Sequence, residues 1–349
     1  LIFKQASGTS RGVLTTKETY LLEISENNKK GIGECAIFRG LSYDDVPDYE
    51  EKLTWLCENI HSDFEVLKKE LLHYPSIIFG LEQALLNLEH GEDLYFPSDF
   101  TDGKDSIKIN GLIWMGNADF MQSQIEEKLA KGFDCIKLKI GVDWKSEKEI
   151  IKKLREKFPK EQLELRVDAN GAFSYEEATI VLQELADLGI HSIEQPIKKS
   201  QVKTKKSQKT DEINSTDYCA PWNEMAKLCA ETPTPIALDE ELIGIIDFEE
   251  KKKLLETIKP QYIILKPALV GGFSGSDEWI AIAESLGINW WITSALESNI
   301  GLNAICQYTY TKKNPLPQGL GTGALFTNNF ETHLQLEGDQ MWHKKTPYY

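Results

Sequence analysis

Residues 135–140 read CIKLKI, and residues 163–168 read LELRVD. Each is a short segment of alternating or continuous apolar residues with a charged side chain at its last or second-last position, which is typical of a buried strand that opens at the edge of a parallel sheet. Similar segments follow along the chain, and each ends in a polar or glycine residue: Ser192–Glu194, Ile236–Asp239, Tyr262–Lys266, Trp290–Ser294 and Gly319–Gly323. With a first strand at Ile107–Trp114, the predicted number of strands is eight.

The spacing of these strand ends indicates a repeated unit of one strand and one helix. Successive ends lie 26 to 29 residues apart, with one exception, at Lys139, Asp168, Glu194, Asp239, Lys266 and Ser294. The exception is the 45-residue step from Glu194 to Asp239, which contains a lysine-rich stretch at residues 198–217. We interpret that stretch as an exposed inserted loop. The remaining pattern predicts a parallel (β/α)8-type barrel over residues 105–325.

The first hundred residues have a different pattern, which predicts a compact α+β domain over residues 1–104. The predicted elements are a strand at residues 11–24, a turn with Gly31–Gly33 behind it, and helical stretches at 44–72 and 76–90. We expect the C-terminal segment, residues 326–349, to pack back on this domain.

Composition excludes several classes of function. The 349 residues include 39 Lys and Arg against 55 Asp and Glu, a formal net charge of −16, which disfavours nucleic acid and anionic membranes as partners. The 6 cysteines form no CxxC pair, which favours reduced thiols and a cytoplasmic location. The sequence contains no run of 18 apolar residues, so it predicts no membrane span. The sequence does not indicate an oligomeric state.

The predicted strand ends bring together three carboxylates and three lysines: Asp168, Glu194 and Asp239, with Lys137, Lys139 and Lys266. Oxygen ligands without a nearby His or Cys suit Mg²⁺ or Mn²⁺ rather than Zn²⁺. The alternative is a layer of salt bridges inside the barrel. A buried lysine beside another cation and a divalent metal would have a lowered pKa and could serve as a general base, which favours abstraction of a proton α to a carboxylate.

The order KxK, DAN, EQP, DEE and KP resembles the enolase superfamily, in its muconate-lactonising subgroup, over nearly the whole chain including GIGECAIFRGLSYDD at residues 31–45. Four segments resemble, more narrowly, the o-succinylbenzoate synthase family of menaquinone biosynthesis: IALDEELIG (236–244), ILKPALVGG (264–272), TSALESNIGLNAICQ (293–307) and GLGTGALF (319–326). The resemblance implies an N-terminal capping domain on the barrel and dehydration of a succinyl-hydroxycyclohexadiene-carboxylate, a dicarboxylate, to o-succinylbenzoate.

The resemblance also implies a role for each site residue. Lys139 would be the base and then the acid, with Lys137 beside it and Lys266 across the substrate ring. Asp168, Glu194 and Asp239 would hold Mg²⁺, or Mn²⁺, supported by Asn170 and Glu240. Substrate contacts are expected from Ser294, Ser298, Gly321, Thr322 and Gly323, and from Arg11 in a specificity loop at Gly8–Gly12.

Two other functions stay open at this point. Lysines on opposite faces of a substrate also suit racemisation, as in N-succinylamino acid racemases or dipeptide epimerases. Gly321-Thr322-Gly323 stands where dipeptide epimerases carry a DxD sequence, which disfavours the latter. A barrel without catalytic activity would be expected to have lost part of the strand-end set, which is intact here.

Overall fold

The computed structural model describes residues 1–9, 12–114, 116, 118–200 and 222–344. Arg11 and residues 201–217 of the lysine-rich stretch therefore lie outside the described residues. Within the described part of the chain, no helix is both long and apolar enough to cross a lipid bilayer. Each of the five cysteines found there carries a free thiol: Cys35, Cys57, Cys135, Cys229 and Cys306.

The N-terminal region consists of two antiparallel hairpins and three helices: β1 (Ile2–Thr9), β2 (Gly12–Thr16), β3 (Tyr20–Glu26), β4 (Lys29–Cys35), α1 (Tyr49–Asn59), α2 (Phe64–Glu70) and α3 (Pro75–His90). The predicted strand at 11–24 is interrupted between β2 and β3. The helical stretch predicted at 44–72 is divided, because the Asp63 side chain accepts a hydrogen bond from the backbone N–H of Glu65 and starts a new helix.

Gly31 and Gly33 do not form a turn; they allow β4 to approach α3 closely. The turn of the β3–β4 hairpin lies at Asn27 and Asn28, whose φ angles are 47° and 65°. A Cβ atom on Gly33 would lie 1.9 Å from the carbonyl oxygen of Gly80, and one on Gly31 would be similarly blocked. Only glycine therefore allows β4 to lie directly against α3.

Seven parallel strands run in chain order around the second region: β6 (Gly111–Ile113), β7 (Cys135–Lys139), β8 (Glu164–Asp168), β9 (Ser192–Glu194), β10 (Ile236–Leu238), β11 (Tyr262–Leu265) and β12 (Asn289–Ile292). The helices between and after them are α4 (Ala118–Ala130), α5 (Trp144–Lys157), α6 (Tyr175–Asp187), α7 (Asn223–Glu231), α8 (Phe248–Ile258), α9 (Pro267–Val270), α10 (Gly272–Ser285) and α11 (Asn299–Thr311). This arrangement confirms the predicted TIM-like barrel with an N-terminal capping domain.

The eighth strand position is occupied differently from the prediction. Gly319–Gly323 does not form a regular strand; Gln318 and Gly319 instead make isolated parallel bridges to Ile109 and Thr293. The backbone N–H of Gly319 donates to Ile292 at 2.8 Å, and that of Gln318 donates to Lys108 at 2.9 Å. Two residues thus complete the ring between β12 and the segment before β6. The following residues are left free to turn over the barrel mouth.

The C-terminal segment contacts both earlier regions. Its hairpin, β13 (Leu334–Glu337) and β14 (Gln340–His343), forms a three-stranded sheet with β5 (Ile107–Lys108). The ring centroids of Phe326 and Phe3 lie 4.7 Å apart, and the backbone N–H of Thr327 donates to Ile2 at 2.9 Å. These contacts support, as a proposal, the limits 1–104, 105–325 and 326–349.

Glu82 joins the capping domain to the barrel. It lies on α3, and its buried carboxylate accepts hydrogen bonds from the backbone N–H groups of Phe273 and Ser274 at 2.5 and 3.2 Å, in the first turn of α10. Burial raises the pKa of Glu82 to about 7, although these hydrogen bonds oppose the change. The folded protein therefore holds the proton of Glu82 more tightly than the unfolded chain does.

We expect Glu82 to make the protein less stable as the pH rises. Its contribution is complete below the unfolded pKa of about 4.5 and is lost as the pH passes 7. Between pH 5 and pH 8 the wild-type free energy of unfolding should fall by about 2–3 kcal/mol more than that of Glu82→Gln. The measurement is denaturant unfolding at several pH values. Glu89→Gln, an exposed position on the same helix, should follow the wild type, and a wild-type curve for Glu82→Gln would contradict this account.

Candidate active site

The ends of four neighbouring strands place charged side chains at one mouth of the barrel. Lys137 and Lys139 are two residues apart on β7 and therefore point to the same side of the sheet. In the register of the sheet, Lys139 lies opposite Asp168, and Asp168 lies opposite Glu194. Asp239 follows β10 directly.

The three lysines connect the three carboxylates. Lys137 Nζ lies 2.7 Å from Glu194 Oε2 and 3.4 Å from Asp168 Oδ2, and so bridges two strands. Lys139 Nζ donates to Asp168 Oδ2 at 2.6 Å. Lys266, which follows β11, donates to Asp239 and lies 3.9 Å from Glu194 Oε1. All six predicted residues are therefore brought together in one buried network.

Burial and charge act in opposite directions on these carboxylates. Burial by itself raises the pKa of Asp168, but Lys139 and Lys137 outweigh it and hold that pKa well below its usual range. Burial and the neighbouring Asp168 raise the pKa of Glu194 to about 7, and burial also raises the pKa of Asp239. Glu194 and Asp239 are thus harder to ionise than usual, even with ammonium groups beside them. A further cation would favour their charged forms.

The carboxylate contacts raise the pKa of two of the lysines, whereas the lowering was expected beside a divalent metal. Burial does lower the pKa of Lys137, but Glu194 and Asp168 outweigh it and the pKa is raised. The pKa of Lys266 is raised in the same way, by Asp239 and Glu194 against burial. Direct contact with carboxylates, which the sequence does not reveal, decides the direction.

Asn170 and Glu240 support the network. Asn170 Oδ1 accepts a hydrogen bond from Lys139 Nζ at 2.6 Å, and its Nδ2 donates to Glu240 Oε1 at 3.0 Å. Asn170, Gln195 and Leu296, which follow β8, β9 and β12, have φ angles of 44°, 42° and 63°. Left-handed backbone at non-glycine residues is costly, and its recurrence after three strands is typical of a functional site.

A cleft lies above these residues, with about 800 Å³ of empty space that includes open solvent. Of the expected substrate contacts, Ser294, Gly321 and Thr322 line it, and the hydroxyls of Ser294 and Thr322 lie 2.6 Å apart. The cavity has other lining residues that no sequence motif indicates, most of them apolar: Phe38, Leu41, Asn110, Leu112, Trp114, Thr293, Ala295 and Leu296. Phe38 and Leu41 fall within the quoted 31–45 segment, which was the available signal for a contribution from the capping domain.

Ser298 and Gly323 do not belong to the cavity lining among the described residues. The fully buried hydroxyl of Ser298 donates to Glu34 Oε2 at 2.5 Å and accepts from the backbone N–H of Ile300, so that it caps α11. Its place is the contact between β4 and the barrel. A serine near a strand end can cap a helix or bind substrate, and the sequence does not distinguish the two roles.

The donor set fits a hard divalent cation. Glu194 Oε1 is buried and accepts no hydrogen bond from any part of the chain that the structure describes. A buried carboxylate oxygen without a donor is costly unless a cation satisfies it. Asp168, Glu194 and Asp239 offer the oxygen ligands that Mg²⁺ takes.

Comparisons with known proteins agree with this geometry. Residues 121–212 and 217–342 match the family model described as enolase C-terminal domain-like, and residues 9–88 match that of the MenC N-terminal domain. The o-succinylbenzoate synthase of Desulfotalea psychrophila is 42% identical over 97% of this chain and 95% of its own. The crystal structure of MenC from that organism superposes with a TM-score of 0.80, at 40% identity, covering 98% of this chain and 97% of that one.

More distant relatives have other activities. The N-succinylamino acid racemase of Thermus thermophilus is 34% identical, over 51% of this chain and 40% of its own. The structure of a dipeptide epimerase from Enterococcus faecalis, complexed with Mg and a dipeptide, superposes with a TM-score of 0.77 at 21% identity, covering 98% of this chain and 93% of that one, which shows the fold alone.

The fold and the strand-end set thus define a barrel of the enolase superfamily, whose enzymes use a divalent metal. Within that superfamily, the chain belongs to the o-succinylbenzoate synthase family.

Proposed function

We propose that this chain is a Mg²⁺-dependent o-succinylbenzoate synthase that removes water, by syn elimination, from 2-succinyl-6-hydroxy-2,4-cyclohexadiene-1-carboxylate. The observation that carries the proposal is the placement of Lys139 and Lys266 in the lining of one cavity. They lie at the ends of β7 and β11, with the carboxylate-bearing strands between them. A substrate in the cavity would have one lysine side chain on each face.

Charge favours a dianionic substrate. With Glu240 included, the ionised site has three ammonium and four carboxylate groups, a net charge of −1. A divalent cation changes this to +1, or to zero when Lys139 is in the neutral form that a base needs, so that the site does not repel a dicarboxylate although the chain as a whole carries −16. Apolar walls at Phe38, Trp114 and Leu296 suit the hydrocarbon ring between the two carboxylates.

Lys139 is the proposed base. Its Nζ is held by Asp168 and Asn170 at 2.6 Å each, and its side chain is 13% exposed, toward the cavity. In its neutral form it takes the proton α to the ring carboxylate, and the resulting ammonium then protonates the departing hydroxyl on the same face. One C–H and one C–O bond break, water leaves, and the ring becomes aromatic.

Lys266 and the metal ligands stabilise charge on the other side. The Lys266 ammonium, fixed by Asp239, would face the opposite side of the ring and favour the electron-rich intermediate. Asp168, Glu194 and Asp239 would hold Mg²⁺, which when bound withdraws charge from the substrate carboxylate. Lys137, in contact with Glu194 and Asp168, keeps these ligands oriented and adds positive charge near that carboxylate.

A second activity, racemisation of N-succinylamino acids, is supported by the same two lysines and by the racemase relative. Lys139 could remove the α proton from one face and Lys266 could return one on the other. Both activities need Lys139, but only racemisation needs Lys266 to transfer a proton. Incubation in D₂O distinguishes them, because a racemase exchanges the α hydrogen of an N-succinylamino acid and inverts its configuration.

The first test is a spectrophotometric assay of diene loss, with Mg²⁺ and then with excess EDTA. We expect rapid turnover that EDTA abolishes and that added Mg²⁺ restores, because the carboxylates cannot hold the substrate carboxylate without the cation. A folded, Mg²⁺-loaded sample with no turnover would contradict the synthase proposal, and N-succinylamino acids would then be assayed.

Replacement of the base tests the mechanism. Lys139→Ala should fold and bind Mg²⁺ but lose turnover by about 10³-fold or more, since proton transfer and positioning are lost together. Lys131→Ala, at an exposed lysine following α4, is the matched control and should retain full activity. Turnover of Lys139→Ala within tenfold of the wild type would contradict this assignment.

Replacement of a proposed ligand tests the metal site separately from catalysis. Glu194→Gln should weaken Mg²⁺ binding, measured by calorimetry, by about 10-fold to 100-fold, because a neutral amide replaces a charged ligand. At the same Mg²⁺ concentration it should also reduce the rise in melting temperature that Mg²⁺ gives the wild type. Glu231→Gln, at an exposed position ending α7, should bind Mg²⁺ normally. Unchanged affinity in Glu194→Gln would exclude Glu194 as a ligand.

A further inference from the structure

Asp93, His333 and His343 form a cluster that shares no residue with the lining of the active-site cavity. His333 Nδ1 lies 2.5 Å from Asp93 Oδ2, and His343 Nε2 lies 3.1 Å from the same oxygen. One nitrogen from each ring and one carboxylate oxygen all lie within 4.8 Å of one another. The synthase reaction proposed above uses none of the three side chains.

The contacts of His343 require a cation at this point. Its ring is fully buried, with Nδ1 3.2 Å from the carbonyl oxygen of Thr101 and Nε2 facing Asp93. Both neighbours are acceptors, whereas a neutral imidazole has one N–H. If Nδ1 donates to Thr101, the lone pair of Nε2 faces a carboxylate, which is repulsive unless a positive charge lies between them.

Asp93 is held in place and has an unused oxygen. Its backbone carbonyl accepts hydrogen bonds from Asn303 Nδ2 at 2.9 Å and from Gln307 Nε2 at 2.8 Å, both on α11. Its Oδ1 is buried and has no hydrogen-bond partner among the residues that the structure describes. One carboxylate oxygen therefore contacts both rings while the other has no donor.

We propose that this cluster is a zinc-binding site, formed by His333 Nδ1, His343 Nε2 and the Asp93 carboxylate. Two imidazoles and one carboxylate are a ligand set for Zn²⁺ rather than for Mg²⁺. The 3.1 Å between His343 Nε2 and Asp93 Oδ2 is close to the ~3.3 Å between ligand atoms about 2.0–2.1 Å from a tetrahedral centre. The shorter His333 contact must open, and the unused Oδ1 gives Asp93 room to rotate.

The surroundings support a bound ion of this kind. The hydrogen bond from His343 Nδ1 to the Thr101 carbonyl fixes the tautomer in which Nε2 is the ligand, as an outer partner of a metal-bound histidine does. The side chains of His333 and Asp93 are 24% and 28% exposed, which leaves the fourth position to water. The ion would connect the segment after α3 to the C-terminal hairpin, 240 and 250 residues away in sequence.

The test uses the full chain, stripped of metal and then given excess Mg²⁺ to fill the active site. Co²⁺ should produce the intense visible absorption of a four-coordinate site with one equivalent bound, and Zn²⁺ should displace it. Zn²⁺ should also raise the melting temperature by about 5 °C. His333→Ala, at the more exposed ligand, should abolish both effects, and His90→Ala, at an exposed position ending α3, should retain them.

Two results would overturn the proposal. The first is the absence of intense Co²⁺ absorption in the Mg²⁺-loaded wild type, which would mean that a proton on His343 is the cation. The second is equal Co²⁺ and Zn²⁺ binding by His333→Ala and the wild type. Dehydration assays do not enter this test, so its outcome is independent of the proposed function.

Discussion

The balance of charge at the carboxyl ends of the parallel strands is the constraint on which the rest of this structure depends. Three buried acids on adjacent strands repel one another, and none can reach bulk water. Lys137 and Lys266 make this arrangement tolerable by bridging Asp168 to Glu194 and Glu194 to Asp239. The network that allows the barrel to fold is also the network that prepares it for a divalent cation.

The same constraint explains why the barrel needs a cap. A charged mouth that lay open to water would interact weakly with a substrate, because water screens each charge. Phe38 and Leu41 extend from the capping domain over the strand ends and exclude part of that water. Glu34 fixes this placement, since its buried carboxylate accepts hydrogen bonds from the backbone N–H groups of Ser298 and Gly301 at the start of α11. Helix α11 thus receives a negative charge where its dipole favours one.

Contacts at a distance in sequence keep the three parts of the chain in register. Glu82 joins α3 to α10, Gln318 and Gly319 join the two edges of the sheet, and Asp93 joins the C-terminal hairpin to α11. Each uses polar groups that would be costly to bury alone, so each is satisfied only when the whole arrangement forms. This cooperativity holds the cavity walls, which come from separate segments, at fixed positions.

The sequence by itself determined the barrel, the capping domain and the set of charged strand-end residues, because strand periodicity and the recurrence of 26 to 29 residues are local properties. It did not determine that Gln318 and Gly319 alone, rather than a strand at Gly319–Gly323, close the ring, or that Ser298 caps a helix. Nor did it reveal the carboxylate contacts that raise the pKa of Lys137 and Lys266. Those features depend on which distant groups come into contact, such as Glu194 with Lys137 or Glu34 with Ser298. Only the tertiary structure decides such contacts, since burial and the nearest opposite charge compete over distances of a few ångströms.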